Sequence, residues 1–215
     1  MPKSVKTLSE RAKGIQRILL RHYISSETAL HWENPFQLLV ATILSAQCTD
    51  KRVNLVTPAL FHHFPDAQSL ASASLEEIRP LIASINFFNN KTKHLSAMAK
   101  TLMKDHRGEV PETMEELLQL AGVARKTANC VLGQAFRKPV GVVVDTHVGR
   151  IARRLGLTTA QQPEKVEKVL MDLFPKSRWT WLSHALIDHG RAFCTARIAK
   201  CEECPLKRAC DKQLT

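Results

Sequence analysis

Glycine is scarce, with 8 residues in 215, aromatic residues make up only 6%, and tyrosine occurs once. Strand candidates are nearly absent, which removes sheet-based architectures from consideration. No stretch approaches the roughly 18 to 20 uninterrupted apolar residues of a membrane span. The longest apolar stretch, near Leu38 to Leu44, contains Thr42, so a membrane-spanning helix is excluded. No Gly/Ser linker divides the chain and no fixed-period repeat is evident. Acidic residues are also short: 20 Asp and Glu stand against 31 Lys and Arg, a net charge of +11. A surface of that sign makes a polyanion the first partner to consider.

What is present is a 44% hydrophobic chain, enough for a real core and too much for a disordered one. The length suits one large domain or two small interlocked ones. In the basic N-terminal stretch, Leu8, Ala12, Ile15, Leu19 and Tyr23 recur at helical spacing. With no compact apolar core and no small-residue cleavage site, that stretch reads as mature protein and not as a signal peptide. Apolar positions elsewhere also recur at three- and four-residue steps, so the chain is expected to be all-α. Residues 35–47 (PFQLLVATILSAQ) are apolar on nearly all sides and predict a central buried helix. Residues 75–85, 91–104, 113–120, 163–174 and 179–191 predict amphipathic helices, with Thr113 and Glu116 spaced as a capping box. The run PVGVVV at 139–144 predicts an extended segment, followed by a helix with Asp145 or Thr146 at its N-cap.

Four of the six cysteines, Cys194, Cys201, Cys204 and Cys210, crowd into the last 22 residues. Disulfide frameworks staple small coreless secreted domains, and this chain has ample core and no export signal, so the cluster reads as four thiolates around a metal. Zinc and iron–sulfur clusters both accept four cysteines, and the spacing alone does not choose between them. Between the first two ligands lies a short basic loop with Arg197 and Lys200, a candidate phosphate contact. The remaining two, Cys48 and Cys130, sit in apolar segments and read as small buried hydrophobes.

A very short turn at Leu120-Ala121-Gly122-Val123-Ala124 joins two helical patterns, and the second begins with Arg125 and Lys126. Cations are mildly unfavourable at a helix N-terminus, whereas anions are favoured there. A DNA backbone against the turn would resolve the conflict. Residues 120–135 (LAGVARKTANCVLGQA), then Val144-Asp145-Thr146-His147, then the four-cysteine tail, together with Ser45-Ala46-Gln47-Cys48-Thr49-Asp50 in the buried helix, resemble the helix-hairpin-helix DNA glycosylases of the endonuclease III family.

The resemblance covers nearly the whole chain. It implies an all-α fold in which a six-helix barrel domain (29–139, hairpin at about 114–136) packs against a discontinuous cluster domain (1–28 plus 140–215), with a DNA cleft between them. It selects a [4Fe-4S] cluster over zinc for Cys194, Cys201, Cys204 and Cys210. Lys126 takes the nucleophile position and Asp145 the catalytic carboxylate position. Gln47 and Phe87 take the positions that fill the gap left by a flipped nucleotide, and Gly122, Ala124, Arg125, Arg197 and Lys200 are expected to hold the DNA backbone. The implied activity is removal of oxidised pyrimidines from double-stranded DNA, followed by strand cleavage at the abasic site. The implied protein is a bacterial cytoplasmic monomer that associates with the nucleoid through DNA.

The chemistry suits those residue types. Only an amine can attack C1′, displace the base and proceed through an iminium to β-elimination. A free lysine amine with pKa about 10.4 is neutral only about once in 2,500 at pH 7. A helix N-terminus supplies typically about 0.3–1 kcal/mol, less than the roughly 1.4 kcal/mol of one pKa unit. Desolvation by bound DNA and the neighbouring Arg125 are therefore needed, with the Asp145 carboxylate acting on positive charge developing at the sugar.

The chain departs from the family pattern in three places. Ala121 and Ala124 replace the usual hairpin proline and second glycine, Asn86 stands where the lesion loop commonly has glycine, and the segment 139–144 holds one extra residue. An alanine forced to positive φ would be strained, and one pressed against a phosphate would intrude, so a weaker hold on DNA is expected. Monofunctional adenine-mismatch and alkylation glycosylases generally lack the hairpin lysine that is present here. The rival readings are a divergent member with altered or weak glycosylase activity and a non-catalytic, metal-stabilised DNA-binding module.

Overall fold

A computed structural model of the chain describes residues 7–211. These form two compact units: Thr28–Lys138, and the described parts of Met1–Glu27 and Pro139–Thr215. Both are helical. Among the described residues the sole β pairing is an isolated bridge between Cys194 and Ala199.

The unit of Thr28–Lys138 holds seven helical segments. They are α2 (Pro35–Ser45), α3 (Asp50–His63), α4 (Ala67–Ser72), α5 (Leu75–Leu81), α6 (Phe88–His106), α7 (Met114–Leu117) and α8 (Arg125–Gln134), with α1 (Leu8–His22) preceding them in the other unit. Helix α2 is buried from Phe36 to Leu44, as its all-round apolar sequence requires. Asn34 caps it, accepting from the Gln37 amide at 3.0 Å, and Pro35 occupies the first turn, where its missing N–H costs nothing. The helix stops at Ser45, two residues short of the sequence expectation, because Gln47 turns left-handed with φ 54°. Helix α5 likewise ends at Leu81 and not at 85, just after Pro80. The capping box expected at Thr113 is half formed. Its Oγ1 accepts from the Glu116 amide, but its hydroxyl donates to the Glu116 carboxylate.

The other unit adds α9 (Thr146–Arg154), α10 (Pro163–Leu173) and α11 (Trp179–Ala192) to α1. Its core joins Ile15 and Leu19 of α1, Val148 and Ile151 of α9, Val166 and Leu170 of α10, and Leu182 and Leu186 of α11. Leu206, fully buried between Cys204 and Cys210, enters the same core and anchors the helix-free tail. Residues 139–144 form neither helix nor strand, bend at Gly141, and connect α8 to α9. Among the described residues no helix is long and apolar enough to cross a membrane.

Candidate active-site residues and metal centre

In the first unit the hairpin runs from α7 to α8. Gly122 carries its left-handed residue, φ 79°, and a Cβ there would lie 3.0 Å from Cβ of His94. Both backbone and packing demand glycine at that point. Ala124 has φ −103° and is the N-cap of α8, so the strain expected of alanine in the left-handed region does not arise. Its methyl group accepts no hydrogen bond, which leaves the first-turn amides of α8 without a side-chain cap. Exposed Lys126 is the second residue of this helix, after exposed Arg125. One turn on, burial pushes the Cys130 thiol up, Thr42 and Lys126 act against that, and Asp50 adds to it. Lys126 and Asp50 therefore both lie within electrostatic reach of Cys130, a proximity the sequence did not signal.

Gln47 and Phe87 occupy two turns of the same unit. Both are exposed, Phe87 to 60%, and both are left-handed, with φ 54° and 59°. Core packing, the ordinary fate of an aromatic side chain, does not apply to Phe87. Cys48, beside Gln47, is half-buried in the turn and not in the core; Cys130 is buried as expected. Lys91, in contrast, is 5% exposed and sends its ammonium to the carbonyls of Leu44 at 2.9 Å and Ala46 at 2.6 Å. A buried cation thus closes the negative end of α2, and desolvation there lowers the Lys91 pKa, with Cys48 acting weakly in the other direction. Lys91→Met keeps the stem and strands those carbonyls. It is expected to cost about 1–3 kcal/mol of unfolding free energy in urea titration; a melt matching the parent would show the contact to be idle.

In the second unit Asp145 is half-buried and caps α9, its Oδ1 accepting from the Val148 amide at 2.8 Å. The same helix sends two arginines to the loop between the first two tail cysteines. Arg150 donates to the Cys194 carbonyl from Nε and Nη2. Arg154, buried, donates to the Thr195 carbonyl at 2.6 Å, the Ala196 carbonyl at 3.1 Å and the Cys194 Sγ at 3.2 Å. Held in this way, the loop presents Arg197 and Lys200 to solvent with Ile198 between them.

Cys194, Cys201, Cys204 and Cys210 line one cavity with Arg154, His189 and Lys207, and none is in a disulfide. Burial holds the Cys204 thiol above its usual range, opposed by the Leu206 amide and reinforced by the three other cysteines. Four cysteines lining one cavity are a donor set that, as thiolates, suits a metal centre. Arg154 lines the same cavity, and its Nε is buried without a hydrogen-bond partner, a donor whose charge suits an anionic group. Among the described residues no group of His, Cys, Asp or Glu converges on one point as a single-ion site does. His189 reaches the Cys204 Sγ at 3.6 Å and the Tyr23 hydroxyl at 3.2 Å. Burial, with His22 nearby, lowers its pKa to about 4, so the imidazole is neutral beside the cysteines at pH 7.

Residues 40–176 match the HhH-GPD superfamily of base excision DNA repair proteins. Endonuclease III of a Synechocystis species is 51% identical over 94% of this chain and 92% of its own length. Two solved structures share the fold across the chain. A non-covalent endonuclease III–DNA complex superposes with a TM-score of 0.90 at 36% identity, covering 95% of each chain. A trapped endonuclease III–DNA covalent intermediate gives 0.87 at 38% identity, covering 94% of this chain and 96% of that one.

Proposed function

Because the chain belongs to the endonuclease III family of the HhH-GPD superfamily of base excision DNA repair proteins, we propose that it excises damaged bases from double-stranded DNA and nicks the resulting abasic site. The observation that carries this reading is the exposed primary amine of Lys126, set in the first turn of α8, which has no side-chain cap, four residues after the left-handed Gly122. First-turn amides without a side-chain cap suit a phosphate oxygen, and a phosphate held there brings the sugar to the amine.

In the proposed chemistry the Lys126 Nζ bonds to C1′ as the glycosidic C1′–N bond breaks and the base departs with a proton. The sugar ring opens to an iminium. Loss of a C2′ proton then expels the 3′ phosphate and nicks the strand. The Asp145 carboxylate stabilises positive charge at the sugar. Gln47 and Phe87 fill the space of the rotated nucleotide, at an unstacking cost that is lowest for damaged bases such as oxidised pyrimidines. Arg125, Arg197 and Lys200 meet phosphates, and Ala124 brings the backbone to the strand. The protein acts as a monomer on the bacterial nucleoid.

Four thiols around a shared cavity with an unpaired guanidinium nitrogen fit a polynuclear centre better than a single zinc ion. Cys194, Cys201, Cys204 and Cys210 would hold a [4Fe-4S] cluster, which here supplies cross-linking of the tail.

Borohydride reduction during incubation with abasic-site duplex tests the function: a covalent protein–DNA adduct is expected. Stable binding without an adduct would favour the non-catalytic DNA-binding module. Asp145→Asn separates chemistry from capping, since asparagine caps as well as aspartate. Its melting should stay within about 0.5 kcal/mol of the parent while base removal falls about 10²-fold or more. Equal base-removal rates would leave Asp145 with its cap alone.

A further inference from the structure

Two of the left-handed residues outside glycine, Gln47 and Phe87, belong to turns 40 positions apart in sequence that are tied together by one exposed side chain. The Nδ2 of Asn86 donates to the Gln47 carbonyl at 2.7 Å. Positive φ is disfavoured for both glutamine and phenylalanine, and such a conformation persists only where neighbouring contacts over-determine it. At Gln47 those contacts come from the lesion loop and the helix after it. Lys91 fixes the carbonyl of Ala46, immediately before Gln47, and Asn86 fixes the carbonyl of Gln47 itself. Phe87 lies between these two side chains in sequence, and its own carbonyl accepts the Lys91 amide at 3.1 Å. The same short segment therefore sets both exposed side chains.

We infer that Asn86 is a positioning residue that locks Gln47 and Phe87 into one preassembled two-pronged wedge before DNA arrives. A glycine at position 86 has no group to offer the Gln47 carbonyl, so the departure from the family pattern adds a contact. Without the tie, Gln47 is free to leave the left-handed region, and part of the binding energy goes into ordering the turn at the moment of nucleotide rotation. The inference rests on the base-excision reading, because a wedge matters only where a stacked nucleotide is displaced.

The test compares single-turnover strand cleavage of abasic-site duplex with cleavage of the same strand alone, which has no helical gap to fill. For Asn86→Ala the duplex-to-single-strand rate ratio should fall about fivefold, the rate equivalent of one ordinary hydrogen bond. Asn86→Asp, which turns a carboxylate towards the carbonyl, should lower the ratio at least as far. In a Gln47→Ala, Phe87→Ala background, where neither prong is left to aim, Asn86→Ala should change the ratio less than twofold. Thermal melts of each variant establish that it is folded. A ratio unchanged by Asn86→Ala, or one that falls as much in the background lacking both prongs, overturns the inference. Absence of a borohydride adduct with the parent protein would overturn the base-excision reading and this inference with it; a normal parent adduct beside an unchanged ratio overturns the inference alone.

Discussion

Lys126→Ala is expected to form no borohydride-trapped adduct with abasic-site DNA and to lose strand cleavage by more than about 10³-fold, since no other group replaces the electron pair of the missing amine. The variant should fold normally, because the side chain is exposed near the start of α8 and alanine is the best helix former. It should also bind abasic duplex with little change beyond the loss of one phosphate-side cation. A gel of trapped complexes, a cleavage time course and a melt measure these three quantities. Undiminished cleavage by the alanine variant would remove Lys126 from the reaction and leave the hairpin a grip.

The second large effect concerns the tail. Residues 194–211 contain no helix; they are held by the Cys194–Ala199 bridge, by the two arginines of α9 and by Leu206 in the core. Burying one leucine supplies roughly 1.5–3 kcal/mol, which falls short of the ordering cost of so many residues at about 1–2 kcal/mol each. Cross-linking by a centre held on the four cysteines would supply the remainder. The parent is expected to be yellow-brown, with broad absorbance near ~400 nm. Cys204→Ala should bleach it, open the tail to limited proteolysis and lower stability by several kcal/mol, beyond the roughly 0.5–3 kcal/mol of ordinary substitutions. A colourless parent containing zinc would contradict the cluster. A Cys204 variant as resistant to protease as the parent would show that the tail stands without its centre.

Most of the helical content was legible because it is written locally. The all-round apolar stretch of α2, the apolar face of α10 and the cap at Asp145 depend on residues within a few positions of one another. Helix α3 was not legible: Pro58 in its interior and a weak apolar stripe give a mixed signal. Nor was α4, whose six residues are too few to establish a period. Lys91 shows a different limit. In sequence it is one more cation on an amphipathic helix, and only the chain's return past the end of α2 makes it a buried cap. Arg150 and Arg154 are the same case, since the loop groups they hold lie 40 or more positions away. Spacing marked the cysteines and the family resemblance marked Lys126 and Asp145, whereas the arginine contacts that hold the cysteine loop are long-range and carry no local pattern.

Helix α9 has a consequence for how such a tail can be lost. Two guanidinium groups of one short helix terminate on three backbone oxygens and a sulfur of the cysteine loop. A lineage that discarded the whole cysteine loop would inherit a pair of stranded cations, one of them buried, in the middle and at the end of the helix that Asp145 begins. Shedding that loop is thus not a matter of trimming an appendage. Neutral residues at both arginine positions would have to arrive before or with the deletion, or the fold around the acidic end would be the first casualty.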